Sequence, residues 1–552
     1  MQDENIMPHK LNLDKILVDI GNYGVYQIVV MGYLIANVLS IAIKNNQYVF
    51  AAGPVEYRCK VPQCETSPPK FEAGPWASFA LPGKGKCHRY VPLQTSACKA
   101  DSFSNKTEPC YSWVYANNDT ISYDFNLACQ EWKRTMVGTL RSVAYFATMP
   151  VISFCSDTFG RRSVLIFTAV APAFIGTWRA FCQSYLMYMT LEFIDAFLGS
   201  GGYSTIFILA LEMVNLKNRT IGGTVLSTMY AIGLALLGVS AWLIPSWRTR
   251  TIVLYAPGVI FIAYIWTIDE SVRWLISKGR NKEAANSILK AARMNKKRLS
   301  VNTEATLKHF AESEGGTGPN QSLKDTKNEP ATSKKPLYKR VLKSKVIMCR
   351  ILVVSFWWVT TTMVYYGLTI NSVSLAGNIY LNFCVTSLIE IPGYVVSLAT
   401  LNRFGRKSSI MTAFLLSGIS LLLIGTATNH TTIIMLSMFG KLCISMSYCS
   451  IYIYTVELFP TEARHQLMGV CSMLGRVGNM IAPQTPLLVH YMESLPYILF
   501  GTMSAVSGFL MLLTPETLKL KLPDTFEEAE NMNIIPRTSK RVDILSAIDE
   551  GE

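Results

Sequence analysis

Charge is scarce in this sequence. Only 16% of its 552 residues are Asp, Glu, Lys or Arg, against 50% apolar residues. A soluble chain of this length divides into several domains with far more surface charge. The Gly-x-x-x-x-Gly-Lys-Ser/Thr loop is missing, which excludes a primary pump with a phosphate-cradling site of that type. His-Glu-x-x-His and Gly-x-Ser-x-Gly are missing too, and there are only six histidines, so the motif-bearing metalloproteases and serine hydrolases are also excluded. The formal charge of +14 is no nucleic-acid footprint, because the basic residues sit between long apolar segments rather than on a polar domain.

What the sequence has is apolar runs of membrane-spanning length. Twelve stand out, at about 24–46, 135–155, 163–182, 185–213, 221–245, 251–269, 346–369, 377–400, 409–428, 432–455, 466–489 and 495–514. The first follows a charged leader, Met1 to Lys15, without a small-residue cleavage site, so it is expected to be a retained helix.

Two hydrophilic blocks interrupt the runs. The block 47–134 carries Cys59, Cys64, Cys87, Cys98, Cys110 and Cys129, with sequons at Asn105 and Asn118. Six cysteines in so small a block predict three disulfides in an oxidising compartment, with fifteen pairings open. The block 270–345 has no cysteine and is rich in Lys, Glu, Gly and Ser, as at Lys334-Lys-Pro336. That suits a cytosolic linker with short helices and disordered stretches. Arg161-Arg162, Lys217, Arg219, Arg403, Arg406-Lys407, Arg464 and Lys519/Lys521 fall on the linker's side, and this positive-inside bias predicts both termini in the cytosol. The sequons at Asn218 and Asn320 are then cytosolic and unused, and that at Asn429 lies in a short outer loop.

A duplication organises the chain. Asp157-Thr-Phe-Gly160-Arg161-Arg162-Ser163 after the second run returns as Asn402-Arg403-Phe-Gly405-Arg406-Lys407-Ser408 after the eighth. Glu212 and Arg219 return as Glu457 and Arg464, at the same offset of 245, and Glu270-Ser271 returns as Glu516-Thr517 at 246. The expectation is an all-α membrane protein of two pseudo-symmetric six-helix halves, the major-facilitator architecture, with its substrate site near the midplane. The domains are then a cytosolic N-terminus 1–23, a first half 24–269 containing the outer loop 47–134, the linker 270–345, a second half 346–514 and a cytosolic tail 515–552.

The repeated charges have two readings. Asp157, Arg161, Arg162, Glu212, Arg219, Arg403, Arg406, Glu457 and Arg464 can form a cytosolic seam of charge-assisted bonds that breaks when an inner gate opens. The plainer reading is loop charges that only fix topology. The repetition favours the gate, and Asn402, standing where the first copy has an acid, predicts unequal halves.

At this point the chain resembles the organic cation/carnitine/organic anion transporter family. The resemblance is carried by Asp157-Thr-Phe-Gly-Arg-Arg-Ser163, Asp269-Glu-Ser-Val-Arg-Trp-Leu275, Glu457-Leu-Phe-Pro-Thr-Glu-Ala-Arg464, Thr514-Pro-Glu-Thr517 and the long cysteine-bearing first loop. It runs from Gly21 to Asp524. It implies facilitated or exchange transport of amphiphilic organic ions across a plasma membrane by alternating access, with no chemical step, cofactor or metal site. The expected partners are a small organic ion and the lipid bilayer, not nucleic acid. Any coupling ion stays open.

Candidate recognition residues are charged or aromatic side chains deep in the runs, where an unpaired charge is costly. Counting ~1.5 Å per residue from the cytosolic charges puts Arg476 and Glu390 ~18–20 Å in, and Lys441, Asp195, Glu192 and Arg141 towards the outer half. Tyr203 and Phe207, and Tyr448 and Tyr452, are spaced by four and share a face; Trp358 and Tyr365 are spaced by seven, with Tyr366 beside them. Such rings can hold an ammonium group by cation–π attraction of about 2 kcal/mol, or simply pack. The resemblance implies that Tyr203, Phe207, Trp358, Tyr365 and Tyr448 line the substrate pocket. It also implies that strictly cation-selective members carry an acid where Arg476 stands, and carnitine- and anion-type members an arginine. Arg476 can clamp a carboxylate. Glu390 can balance an ammonium group or pair with Lys441 or Arg476. Cations and zwitterions such as carnitine come first among expected substrates, organic anions second. A non-transporting ligand sensor would bind without counterflow, and a channel fits two pseudo-symmetric halves less well.

Overall fold

The computed structural model describes residues 24–532, apart from 84–85, 94–97, 214–218, 298, 300, 313–339, 342, 519 and 521–522, together with Ile16, Asp19 and Gly21. Lys217, the sequons at Asn218 and Asn320, Lys334-Lys-Pro336, Lys519, Lys521 and the side chain of Arg219 lie outside the described residues.

Apolar runs near twenty residues become helices because only an internally hydrogen-bonded backbone is stable in hydrocarbon. Among the described residues, nine helices are long and apolar enough to cross a membrane: Val25–Ala51, Tyr185–Glu212, Ile221–Leu243, Trp247–Thr267, Lys345–Ser374, Ile379–Arg403, Arg406–Thr426, His430–Leu458 and Leu495–Leu513. Three more helices, Glu131–Phe159, Arg161–Arg179 and Arg464–Ile481, match the remaining expected runs. In chain order these give twelve spans, and each is numbered by its place in that order.

Contacts divide the chain into two compact units, Met1–Glu329 with Gly377–Ser387, and Pro330–Ala376 with Leu388–Glu552. In the first unit the fourth span is interrupted after Gly199 and resumes at Gly202. A side chain at Gly201 would strike Ile152 of the second span, so the small residues there serve close helix approach. Three further helices follow the sixth span, Val272–Ser277, Asn281–Met294 and Val301–Glu312.

The outer loop is a small domain with two antiparallel strand pairs, β1 (Tyr57–Cys59) with β4 (Trp113–Tyr115) and β2 (His88–Pro92) with β3 (Phe103–Pro109). Three disulfides close it, Cys59–Cys110, Cys64–Cys98 and Cys87–Cys129, as befits a core too small to stand alone. Asn105 and Asn118 are both exposed. Tyr57 donates to Glu131, and burial, with the Glu131 charge adding to it, pushes its phenol above the ordinary tyrosine range.

In the second unit the eighth span breaks at Ile389 and restarts with Glu390. Pro392 explains the break: lacking an N–H, it cannot bond the Leu388 carbonyl four residues back. The eleventh span ends as α-helix at Ile481 and tightens into a 3-10 turn at Ala482–His490, where Pro483 and Pro486 stand.

Candidate functional site

Glu390 sits in the first turn of the restarted eighth span, where the helix dipole favours a carboxylate. Its Oε1 pairs with Lys441 Nζ at 2.9 Å, and neither side chain is exposed. Its Oε2 accepts from the hydroxyls of Tyr365 at 2.7 Å and Tyr394 at 3.0 Å. Lys441 also donates to the Tyr365 carbonyl and to Thr369 Oγ1, at 2.9 and 2.8 Å. A buried charge pair is stabilised when further hydrogen bonds support its partners, and these four contacts do so at Glu390 Oε2 and Lys441 Nζ, while Glu390 Oε1 has the ion pair alone. Of the two partners the sequence offered for Glu390, the structure selects Lys441. Tyr394 and Thr369 were missed, although Tyr394 follows Glu390 by one helical turn.

A chain of rings runs beside this pair. Trp358 meets Tyr452 edge-on at 4.5 Å, Tyr452 meets Tyr448 at 5.9 Å, Tyr448 stacks on Tyr365 at 5.0 Å, and Tyr365 meets Tyr366 edge-on at 5.1 Å. Tyr365 already carries a cation, since Lys441 Nζ lies 3.3 Å from its ring centre. Tyr366, Tyr448 and Tyr452 are partly exposed, whereas Trp358 is buried and donates to Thr455. Arg476 is half-buried on the eleventh span. In the first unit Tyr203 lies 6.3 Å from Phe207 and meets Tyr230, which the sequence reading had not singled out, edge-on at 5.5 Å.

The repeated loop motifs adopt one geometry twice. Glu270 accepts from the backbone N–H groups of Arg161 (2.9 Å) and Arg162 (3.1 Å), and Glu516 accepts from those of Arg406 (2.9 Å) and Lys407 (3.1 Å). Each carboxylate thus caps the N-terminus of a helix that begins after a glycine, Gly160 at φ 95° and Gly405 at φ 103°. Arg161 reaches the Ser156 carbonyl and Arg406 the Leu401 carbonyl, both at 3.0 Å. Glu212 lies 3.9 Å from Arg161, and Glu457 lies 3.3 Å from Arg406. Arg464 bonds the Phe459 carbonyl rather than Glu457. Asp157 is largely exposed and pairs with Arg161 at 3.0 Å. Arg162 bonds the Ile265 carbonyl, and Arg403 is exposed over Phe404.

A second buried charge cluster lies in the outer half of the first unit. Arg141 and Arg179 each bond both Glu192 and Asp195. Gln47, Tyr255 and Lys44 complete it. Arg179 and Lys44 were missed because each stands at the end of an apolar run, where a cation reads as a flank.

A family model described as Major Facilitator Superfamily matches residues 114–483 and again 366–546. The organic cation transporter protein of Drosophila melanogaster is 31% identical over 551 residues, covering 95% of this chain and 96% of its own. The chain belongs to the organic cation/carnitine/organic anion transporter family of the major facilitator superfamily. Within that family, organic cation/carnitine transporter 2 of Rattus norvegicus is 28% identical over 93% of both chains. Organic anion transporter 3 of the same species is 29% identical over 94% of this chain and 95% of its own. The major-facilitator fold is seen again in the inward-open xylose transporter XylE from E. coli, with TM-score 0.57 at 14% identity over 91% of this chain and 99% of that one.

Proposed function

We propose that this transporter carries small organic cations and zwitterions of the carnitine type across the plasma membrane by alternating access, with no chemical step. The observation that carries this reading is the chain of rings beside the Glu390–Lys441 pair. The acid of the second unit is already neutralised by a lysine, so it is poorly placed to serve a substrate ammonium group. That leaves the partly exposed rings of Tyr366, Tyr448 and Tyr452 for the ammonium, by cation–π attraction, and the partly exposed Arg476 for a carboxylate. A zwitterion uses both. Trp358 and Tyr365 act behind these rings, and within the first unit Tyr203 and Phe207 offer a further pair of rings to the substrate. Both termini are cytosolic and the outer domain faces an oxidising exterior, in line with the disulfides and the cytosolic basic loops.

Organic anion transport is the second reading, favoured by Arg476 together with the neutralised Glu390. Uptake of labelled tetraethylammonium, carnitine and para-aminohippurate by wild type and Arg476→Asp in oocytes separates the two. Carnitine as the fastest wild-type probe, its uptake collapsing in the variant while tetraethylammonium survives, supports the zwitterion reading. Hippurate as the fastest probe supports the anion reading. An unchanged ranking removes Arg476 from recognition.

A further inference from the structure

The cluster in the outer half of the first unit is out of balance. Three cations, Lys44, Arg141 and Arg179, face two carboxylates, Glu192 and Asp195, and all five residues are at most 5% exposed. Both carboxylates are held by the two arginines, and Asp195 also accepts from the Tyr255 hydroxyl at 3.1 Å. The Lys44 ammonium makes no hydrogen bond and no ion pair within 4.0 Å among the described residues, although the Asp195 carboxylate acts on it electrostatically. Rings of Tyr255 and Phe261 lie 5.7 and 5.8 Å from it, and a side chain at Gly258 would come within 2.3 Å of it. Glycine is what leaves room for the ammonium there.

A second buried group is also unsatisfied. Asn37, two turns before Lys44 on the first span, is 1% exposed, and neither its Oδ1 nor its Nδ2 has a partner. Asn37 and Lys44 line the same small cavity, with Asn45, Arg141, Thr168 and Asp195, which has room for about one water-sized occupant. An unpaired ammonium and an unpaired carboxamide are each costly in such surroundings. A metal cation would add to the excess positive charge, and an organic ion is too large.

We propose that this cavity is a binding site for one small monovalent inorganic anion, of the size of chloride or bromide, held between the Lys44 ammonium and the Asn37 amide N–H. The carboxylate of Asp195 does not oppose it, because two guanidinium groups and a phenol already offset that charge. The site lies wholly within the first unit and does not depend on which organic ion is transported.

The test is the thermal unfolding midpoint of the full-length protein in lipid nanodiscs. Chloride is titrated against methanesulfonate at constant ionic strength. Wild type is expected to gain a few degrees, saturably, with chloride or bromide. Lys44→Met should lose the response. Asn37→Asp, which builds a carboxylate into the cavity at nearly constant volume, should lose it too while being more stable than wild type without chloride. If Lys44→Met does not fold, Asn37→Asp alone decides. Arg476→Gln should keep the response. The proposal is overturned if wild type ignores chloride, if Asn37→Asp still responds, or if Arg476→Gln alone abolishes the effect. A midpoint that moves with pH between 7 and 9.5 but not with chloride overturns it too, since Lys44 would then shed its proton instead.

Discussion

Lys441 and Glu390 meet at 2.9 Å from two different spans, with no part of either side chain exposed. Removing one partner strands the other, at a cost of about 3–5 kcal/mol. Glu390→Gln should therefore lower the unfolding midpoint by several degrees, and Glu390→Gln with Lys441→Met should recover most of the loss. A single variant as stable as wild type would show that the ammonium does not depend on the acid.

Gly160 and Gly405 occupy a backbone region that essentially only glycine enters, and a side chain on either would lie 2.2 or 2.4 Å from the carboxylate it faces. Gly160→Ala and Gly405→Ala are each expected to cost at least about 1–3 kcal/mol and to reduce uptake. Measuring surface-normalised transport alongside stability checks this. Alanine variants with wild-type values for both would dismiss the role given to the two turns.

Asp157 is 69% exposed at its side chain and, among the described residues, pairs only with Arg161, one turn away, so its stability contribution is small. If the seam gates the inner side, Asp157→Asn slows uptake with little change in substrate affinity. Counterflow and equilibrium binding on the same preparation separate the two quantities. An unchanged turnover leaves the charge with a topological role alone.

The outer domain should depend on its bridges. Replacing Cys59 and Cys110 together by serine is expected to cost about 2–5 kcal/mol, visible as reduced surface delivery. Asn105→Gln and Asn118→Gln should each remove one glycosidase-sensitive step from the protein's gel mobility. A variant whose mobility does not change identifies an unmodified sequon.

The spans were legible because hydropathy at a twenty-residue period is a direct reading of the solvent. The repeated loops were legible from their common offset, but the partners within them were not. Glu270 and Glu516 bind main-chain amides, which leave no mark on side-chain identity. Glu390 was recognisable as costly from its depth alone, while Lys441 became its partner only through the angle at which two spans cross. The bridge pairing was beyond reach, since six cysteines admit fifteen solutions and only the strand register selects among them. Asn37 escaped notice because its significance lies in what fails to reach it.

The amide-capping turns also determine where this sequence is free to vary. Because Glu270 and Glu516 hold N–H groups and not guanidinium groups, exchanging Arg161, Arg162, Arg406 or Lys407 for most other residues leaves the caps in place. Only proline, which has no N–H to offer, would disarm them. The integrity of the two caps should therefore follow the backbone, with sharp intolerance at the two glycines and two glutamates, while the basic side chains are spent on other partners, Asp157, Glu212, Glu457 and nearby carbonyls.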